Sequence, residues 1–78
     1  PRVPAGGDLV DLVADHYEGM LAFYGVDLGV RIARKHLGWY IDAASGPAEM
    51  RARLMRDTDP GRVLAALPEA LVPQSEAA

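Results

Sequence analysis

The chain's 78 residues suffice for one small domain and not two, and with half of them hydrophobic a packed core is expected rather than a disordered tail. The absence of cysteine excludes disulfides, thiolate metal sites and a cysteine nucleophile from these residues, and no apolar run is long enough for a membrane span. The net charge of −3 hides an uneven distribution: residues 1–30 hold one basic and five acidic side chains, residues 31–62 seven basic and four acidic, and the rest two acids and no base. A basic middle inside an acidic frame can steer a polyanion, because local sign counts for more than the total at short range.

In chain order, residues 1–7 (PRVPAGG) read as a linker, with two prolines, two glycines and no periodic pattern. The start at Pro1 instead of Met suggests a piece of a longer protein, and no signal-peptide pattern follows it. Asp8 is expected to cap a first helix over residues 9–24. At 100° per residue, Leu9, Leu12, Val13, His16, Tyr17, Met20, Phe23 and Tyr24 share one side, and Asp11, Asp15 and Glu18 the other. Gly25 ends that helix. Asp27 is expected to cap a second helix over about 28–43, whose apolar face takes in Leu28, Ala33, His36, Leu37, Trp39, Tyr40 and Ile41. A connection of about three residues makes the two an antiparallel hairpin.

Pro47 at the first helical position, with Glu49 two residues on, opens a third helix to about Arg56, burying Met50, Leu54 and Met55. Asp59-Pro60 opens a short fourth helix with Val63, Leu64 and Leu67 inside. Pro68 is expected to stop it, PEALVP to add one further turn, and residues 74–78 to be disordered. With no heptad, internal repeat or strand alternation, the predicted fold is all-α: a small bundle of about four helices built on an antiparallel hairpin, spanning residues 8–73.

No Walker loop, dinucleotide-type glycine fingerprint or histidine pair at metal-ligand spacing is present, so neither a catalytic centre nor a metal site is expected in this chain. His16 and His36, each amid an apolar face, read as core residues with one satisfied nitrogen. The sharper feature is RIARKHLGWY (31–40). Arg31, Arg34 and Lys35 fall within about 100° on the wheel and repel one another at i,i+3 and i,i+4. Asp27 can offset Arg31, but no acid stands one turn from Lys35. Gly38 in the same stripe costs about 1 kcal/mol of helix propensity. An external anion approaching the bare backbone accounts for that combination; a solvated surface is the plainer alternative. Trp39, beside the stripe, reads as a wedge in the core or a stacking surface for a base. Arg53 has Glu49 one turn before it and Arg56 suits the helix C-terminus, whereas Arg51 is either a phosphate contact or a stem lying along apolar neighbours.

The run YGVDLGVRIARKHLGWY (24–40) closely resembles the helical C-terminal segment of bacterial tRNA-dihydrouridine synthases of the B-type, nitrogen-regulation-associated branch. DHYEGMLAFYG (15–25) and RARLMRDTDPGRVLAAL (51–67) are similar in type and order, and the most specific element is ARKH-x-x-WY at 33–40. The resemblance implies a cytoplasmic parent enzyme with an N-terminal TIM barrel that holds FMN and, using NADPH, reduces uridines of tRNA. None of those parts lies in this chain. It also implies that the helical domain helps hold tRNA so that a D-loop uridine reaches the flavin. Arg34, Lys35 and His36 match the family's basic motif, with Arg31 one turn before. The expected RNA contacts are Arg31, Arg34, Lys35, His36, Trp39 and Arg51. The proline-broken ALPEALVPQ departs from the longer terminal helix expected of that family. Two other readings stay open: a protein-interaction or docking bundle without RNA contact, and a DNA-binding helix-turn-helix, which lacks Asn, Gln or Ser for base edges on its second helix.

Overall fold

The computed structural model of the protein describes residues 5–71. Residues 1–4 of the linker expected at 1–7, the tail expected to be disordered at 74–78 and any turn beyond Leu71 lie outside the described residues; Gly6 and Gly7, expected in the linker, instead open the first helix. Within them the chain forms α1 (Gly6–Tyr24), α2 (Val26–Ala43), α3 (Ala48–Arg56) and α4 (Pro60–Ala70), with no strand among the described residues. The all-α bundle of four helices read from the sequence is what the chain adopts.

The α1–α2 hairpin is tighter than expected. Gly25 alone joins the helices, at φ 85°, a left-handed conformation that a side chain disfavours. Its N–H donates to the Leu21 carbonyl at 2.9 Å and its own carbonyl accepts from Gly29 N–H at 2.8 Å, so one residue closes α1 and opens α2. Gly29 is buried at the crossing, where a Cβ would stand 2.8 Å from the Leu21 Cα. The helices run antiparallel from that corner, Gly29 beside Leu21 and His36 beside His16.

This geometry displaces two expected caps. Asp27 is inside the first turn of α2, not before it, because Gly25 leaves no linker to cap from. Asp8 is likewise inside the first turn of α1, which starts from Ala5 without a side-chain cap. Both carboxylates still favour a helix N-terminus through its dipole. Pro47 is the N-cap of α3, one place before the expected first helical position. Asp59 does cap α4, accepting from Gly61 N–H at 2.9 Å. Pro68 does not stop α4. Pro68 itself is exposed, while Leu67, Ala70 and Leu71 are buried, so tertiary burial carries the helix past the one hydrogen bond that proline removes.

The core takes one stripe from each helix: Leu9, Val13, Tyr17 and Met20; Ala33, Leu37 and Ile41; Met50 and Leu54; and Val63, Ala66, Leu67 and Ala70. Four short helices cannot cover the whole of the apolar face written on the first two. Leu12, Phe23, Tyr24, Leu28 and Trp39, all expected inside, are exposed, Phe23 at 81%.

Candidate nucleic-acid interface

The basic segment lies along α2. Arg31 and Lys35 are exposed one turn apart, and Arg34 between them is half-buried. Among the described residues none of the three meets a carboxylate in an ion pair; neither Asp27–Arg31 nor Glu49–Arg53 closes to one. Arg34 keeps its Nε buried without a hydrogen-bond partner. Arg31 and Arg34 line an open groove of about 240 Å³ with Val26, Asp27, Val30 and, from the loop between α3 and α4, Thr58. Two guanidiniums in a shallow groove suit the oxygens of a phosphodiester.

The far wall of the groove is held by charge pairing that sequence reasoning did not find. Arg62 grips Asp57 in a two-pronged contact, Nη2 to Oδ1 at 2.9 Å and Nε to Oδ2 at 3.0 Å. The Asp57 carboxylate also accepts from Asp59 N–H at 2.9 Å and is only 9% exposed. The hydrogen bond from Arg62, then that from the Asp59 backbone, hold its pKa down to about 2. The same contact raises Arg62. This clasp fixes the loop that carries Thr58. The available signal was an aspartate five residues before an arginine, flanking the recognised Asp59-Pro60 start.

Behind the groove, the Tyr17 hydroxyl is buried without a hydrogen-bond partner. Burial, and then the negative charge of Asp57, raise its pKa, while Arg34 opposes the rise. Tyr17 is thus part of the core, on the apolar side of α1 where the periodicity places it.

The other expected contacts separate. Arg51 is half-buried and its charge is taken: Nε donates to Asp42 Oδ1 at 2.8 Å. Its guanidinium lies over Gly38, where an added Cβ would stand 2.9 Å from Nη2. Gly38 is thus buried beneath Arg51 and does not offer bare backbone to an external anion, which corrects that expectation. His16 and His36 are not core residues either. His16 is exposed and His36 half-buried, their rings 5.3 Å apart edge to face across the hairpin, with the Tyr40 hydroxyl 3.4 Å from His16 Nδ1. Trp39 is 60% exposed, which removes the core wedge from its two readings. It has His36 edge-on at 5.2 Å and the Lys35 ammonium 6.0 Å from its ring. Among the described residues, no group of three or more His, Asp or Glu is placed to hold a metal.

Fold and site together define a small all-helical domain with a cluster of unpaired cations along α2. The chain belongs to the dihydrouridine synthase (Dus) family, whose profile matches residues 1–76. It is 57% identical over 65 residues to a probable tRNA-dihydrouridine synthase of Rhodobacter capsulatus, covering 83% of this chain and 19% of that protein. It is 42% identical over 57 residues to another of the same description from Rickettsia conorii, covering 73% and 17%. It is 43% identical over 54 residues to tRNA-dihydrouridine synthase B of Pseudomonas aeruginosa, covering 67% and 16%. The chain therefore spans less than a fifth of the length of these relatives. No solved structure matches it.

Proposed function

We propose that this chain is the C-terminal tRNA-contacting domain of a cytoplasmic B-type tRNA-dihydrouridine synthase. In this reading it helps hold folded tRNA while a barrel outside these residues reduces a D-loop uridine. The relatives' names, tRNA-dihydrouridine synthase and in one case tRNA-dihydrouridine synthase B, support the substrate and the branch of this reading. The observation that carries the role is the clustering of Arg31, Arg34 and Lys35 within two turns of one helix, unpaired, where Arg51 and Arg62 are paired and the unpaired Arg53 and Arg56 lie on another helix. Cations left without carboxylates on a common face are disposed to neutralise phosphates.

Neither of two hollows among the described residues suits a flavin. The cavity between α1 and α2 holds about 10 Å³, and the groove on α2 is open, with two arginines and an aspartate where a tricyclic ring needs an apolar slot. FMN and NADPH are assigned to the barrel, and no redox step is ascribed to this chain.

The test is a titration of labelled, unmodified tRNA followed by anisotropy at several salt concentrations. Three to five phosphates neutralised give a slope of about −2 to −4 in log K against log salt. Arg34→Ala/Lys35→Ala is expected to weaken binding roughly tenfold or more and to flatten the slope by about 2. Unchanged binding in that variant returns the face to ordinary solvated surface. A second reading has its own observation: Phe23, Tyr24, Val26 and Leu28 leave an apolar corner exposed beside Gly25. That corner suits docking on another part of the parent polypeptide. Docking depends on apolar residues and is insensitive to salt, so Phe23→Ser separates the two readings.

A further inference from the structure

Phosphate binding explains the arginines and the lysine but not the indole beside them. Arg31, Lys35 and Trp39 stand at i, i+4 and i+8, so they form one outward ridge about 12 Å long. A tryptophan left 60% exposed forgoes burial that the same helix gives to Leu37 and Ile41. The contact with Lys35, at 6.0 Å, is at the outer limit for a cation over a ring and does not cover the indole. What the surroundings do is orient it. His36 meets Trp39 at an interplanar angle of 81°, His16 backs His36, and the Tyr40 hydroxyl approaches His16. The indole is thus braced from one side within a chain of rings reaching back to α1, and most of its surface is open to solvent.

We propose that Trp39 is a stacking platform for an unpaired nucleobase, whose adjoining phosphates are held by Lys35 and Arg31. The inference rests on the RNA reading above and narrows it. A double helix hides the faces of its bases in the stack and offers only backbone and groove edges. A loop or an end presents a free face together with its phosphates. The ridge supplies the matching pair of surfaces, an aromatic plane continuous with two unpaired cations. The ligand class is therefore a single-stranded or flipped-out nucleotide within RNA. An apolar peptide would use the same area without needing the flanking charge.

Trp39 is the only tryptophan of the chain, so its emission reports on this site alone. The experiment titrates the 78-residue chain with a short mixed-sequence oligoribonucleotide carrying a terminal fluorescein, and separately with inorganic polyphosphate. Anisotropy gives the binding and tryptophan emission the stacking. Quenching by the oligonucleotide and not by polyphosphate is expected. Trp39→Ala and Trp39→Leu should weaken oligonucleotide binding about 5- to 100-fold, with Trp39→Tyr restoring most of it. Circular dichroism confirms that each variant keeps its helices. Binding without quenching, or a Trp39→Leu chain that binds as well as the original, overturns the platform and leaves the phosphate contacts standing. No binding of either tRNA or oligonucleotide at low salt overturns the platform and the RNA reading together.

Discussion

The outer face of α2 groups its cations without a carboxylate partner, whereas the α3–α4 side uses two of its arginines to hold the fold together. On the α3–α4 side two of the four arginines have an aspartate: Arg62 clasps Asp57, and Arg51 reaches back to Asp42 over Gly38, while among the described residues Arg53 and Arg56 stand exposed without one. On α2, Arg31, Arg34 and Lys35 have none and lie within two turns of one another. Counting basic residues does not distinguish these cases, although both lie in the segment that gives the middle of the chain its positive excess. Pairing does: a guanidinium with a carboxylate holds one piece of chain to another, and one without is free for an outside anion.

That contrast can be broken from either side. The largest effect belongs to the scaffold. Leu54, fully buried, is expected to cost about 2–5 kcal/mol as Leu54→Ala. That is comparable with the whole stability of a domain this small, and thermal or urea unfolding should show the variant largely unfolded. Next comes the charge comparison. Arg34→Ala/Lys35→Ala is expected to lose roughly tenfold or more in tRNA affinity with its melting temperature unchanged. Arg51→Ala should change affinity less than twofold while lowering the melting temperature. Equal losses of affinity in the two variants would erase the distinction.

Gly38→Ala is a smaller and sharper probe. Alanine gains up to about 1 kcal/mol of helix propensity, and the neighbour it crowds is the mobile end of Arg51, which can give way. Stability by chemical denaturation should rise or hold, with tRNA affinity unaltered; a loss of affinity would bring back close RNA approach at this backbone. The gentlest effect is in acid. The folded-state pKa of Asp57, about 2, lies below its ordinary 3.8, so between those values the unfolded chain binds more protons than the folded one. The clasp's contribution is complete above about pH 4 and is lost as pH falls toward 2. In Asp57→Asn, unfolding free energy measured across that window should fall less steeply than in the original chain.

Much of the architecture was legible. Periodicity of 3.6 gave four helices, Asp59-Pro60 gave the start of α4, and short connections gave the hairpin. The failures have particular causes. Asp8 and Asp27 look like caps because a cap and a first-turn acid share the same chemistry, and nothing local says that Gly25 reverses the chain by itself. Pro68 reads as a stop until Ala70 and Leu71 are known to be buried. His16 and Phe23 read as inside, and Trp39 as inside or stacking, because a helical wheel shows which residues share a side, not how much of that side four short helices can cover. At the candidate site, the basic character of 31–35 was plain from the sequence. The partners of Arg51 and Arg62 were not, since Asp42 belongs to another helix and Asp57 becomes a neighbour only through the turn.

The corner at Gly25 also makes the domain a fixed gauge. With one residue between α1 and α2 there is no slack to absorb a change in length, and each added helical residue turns the rest of its helix by about 100°. A single insertion there would force a choice. Either α2 keeps its core contacts and the corner bulges, or the corner holds and Arg31, Lys35 and Trp39 swing by more than a quarter-turn from their present outward direction. The angle at which the ridge faces the outside is therefore set at a single φ, several helical turns away from the tryptophan it aims.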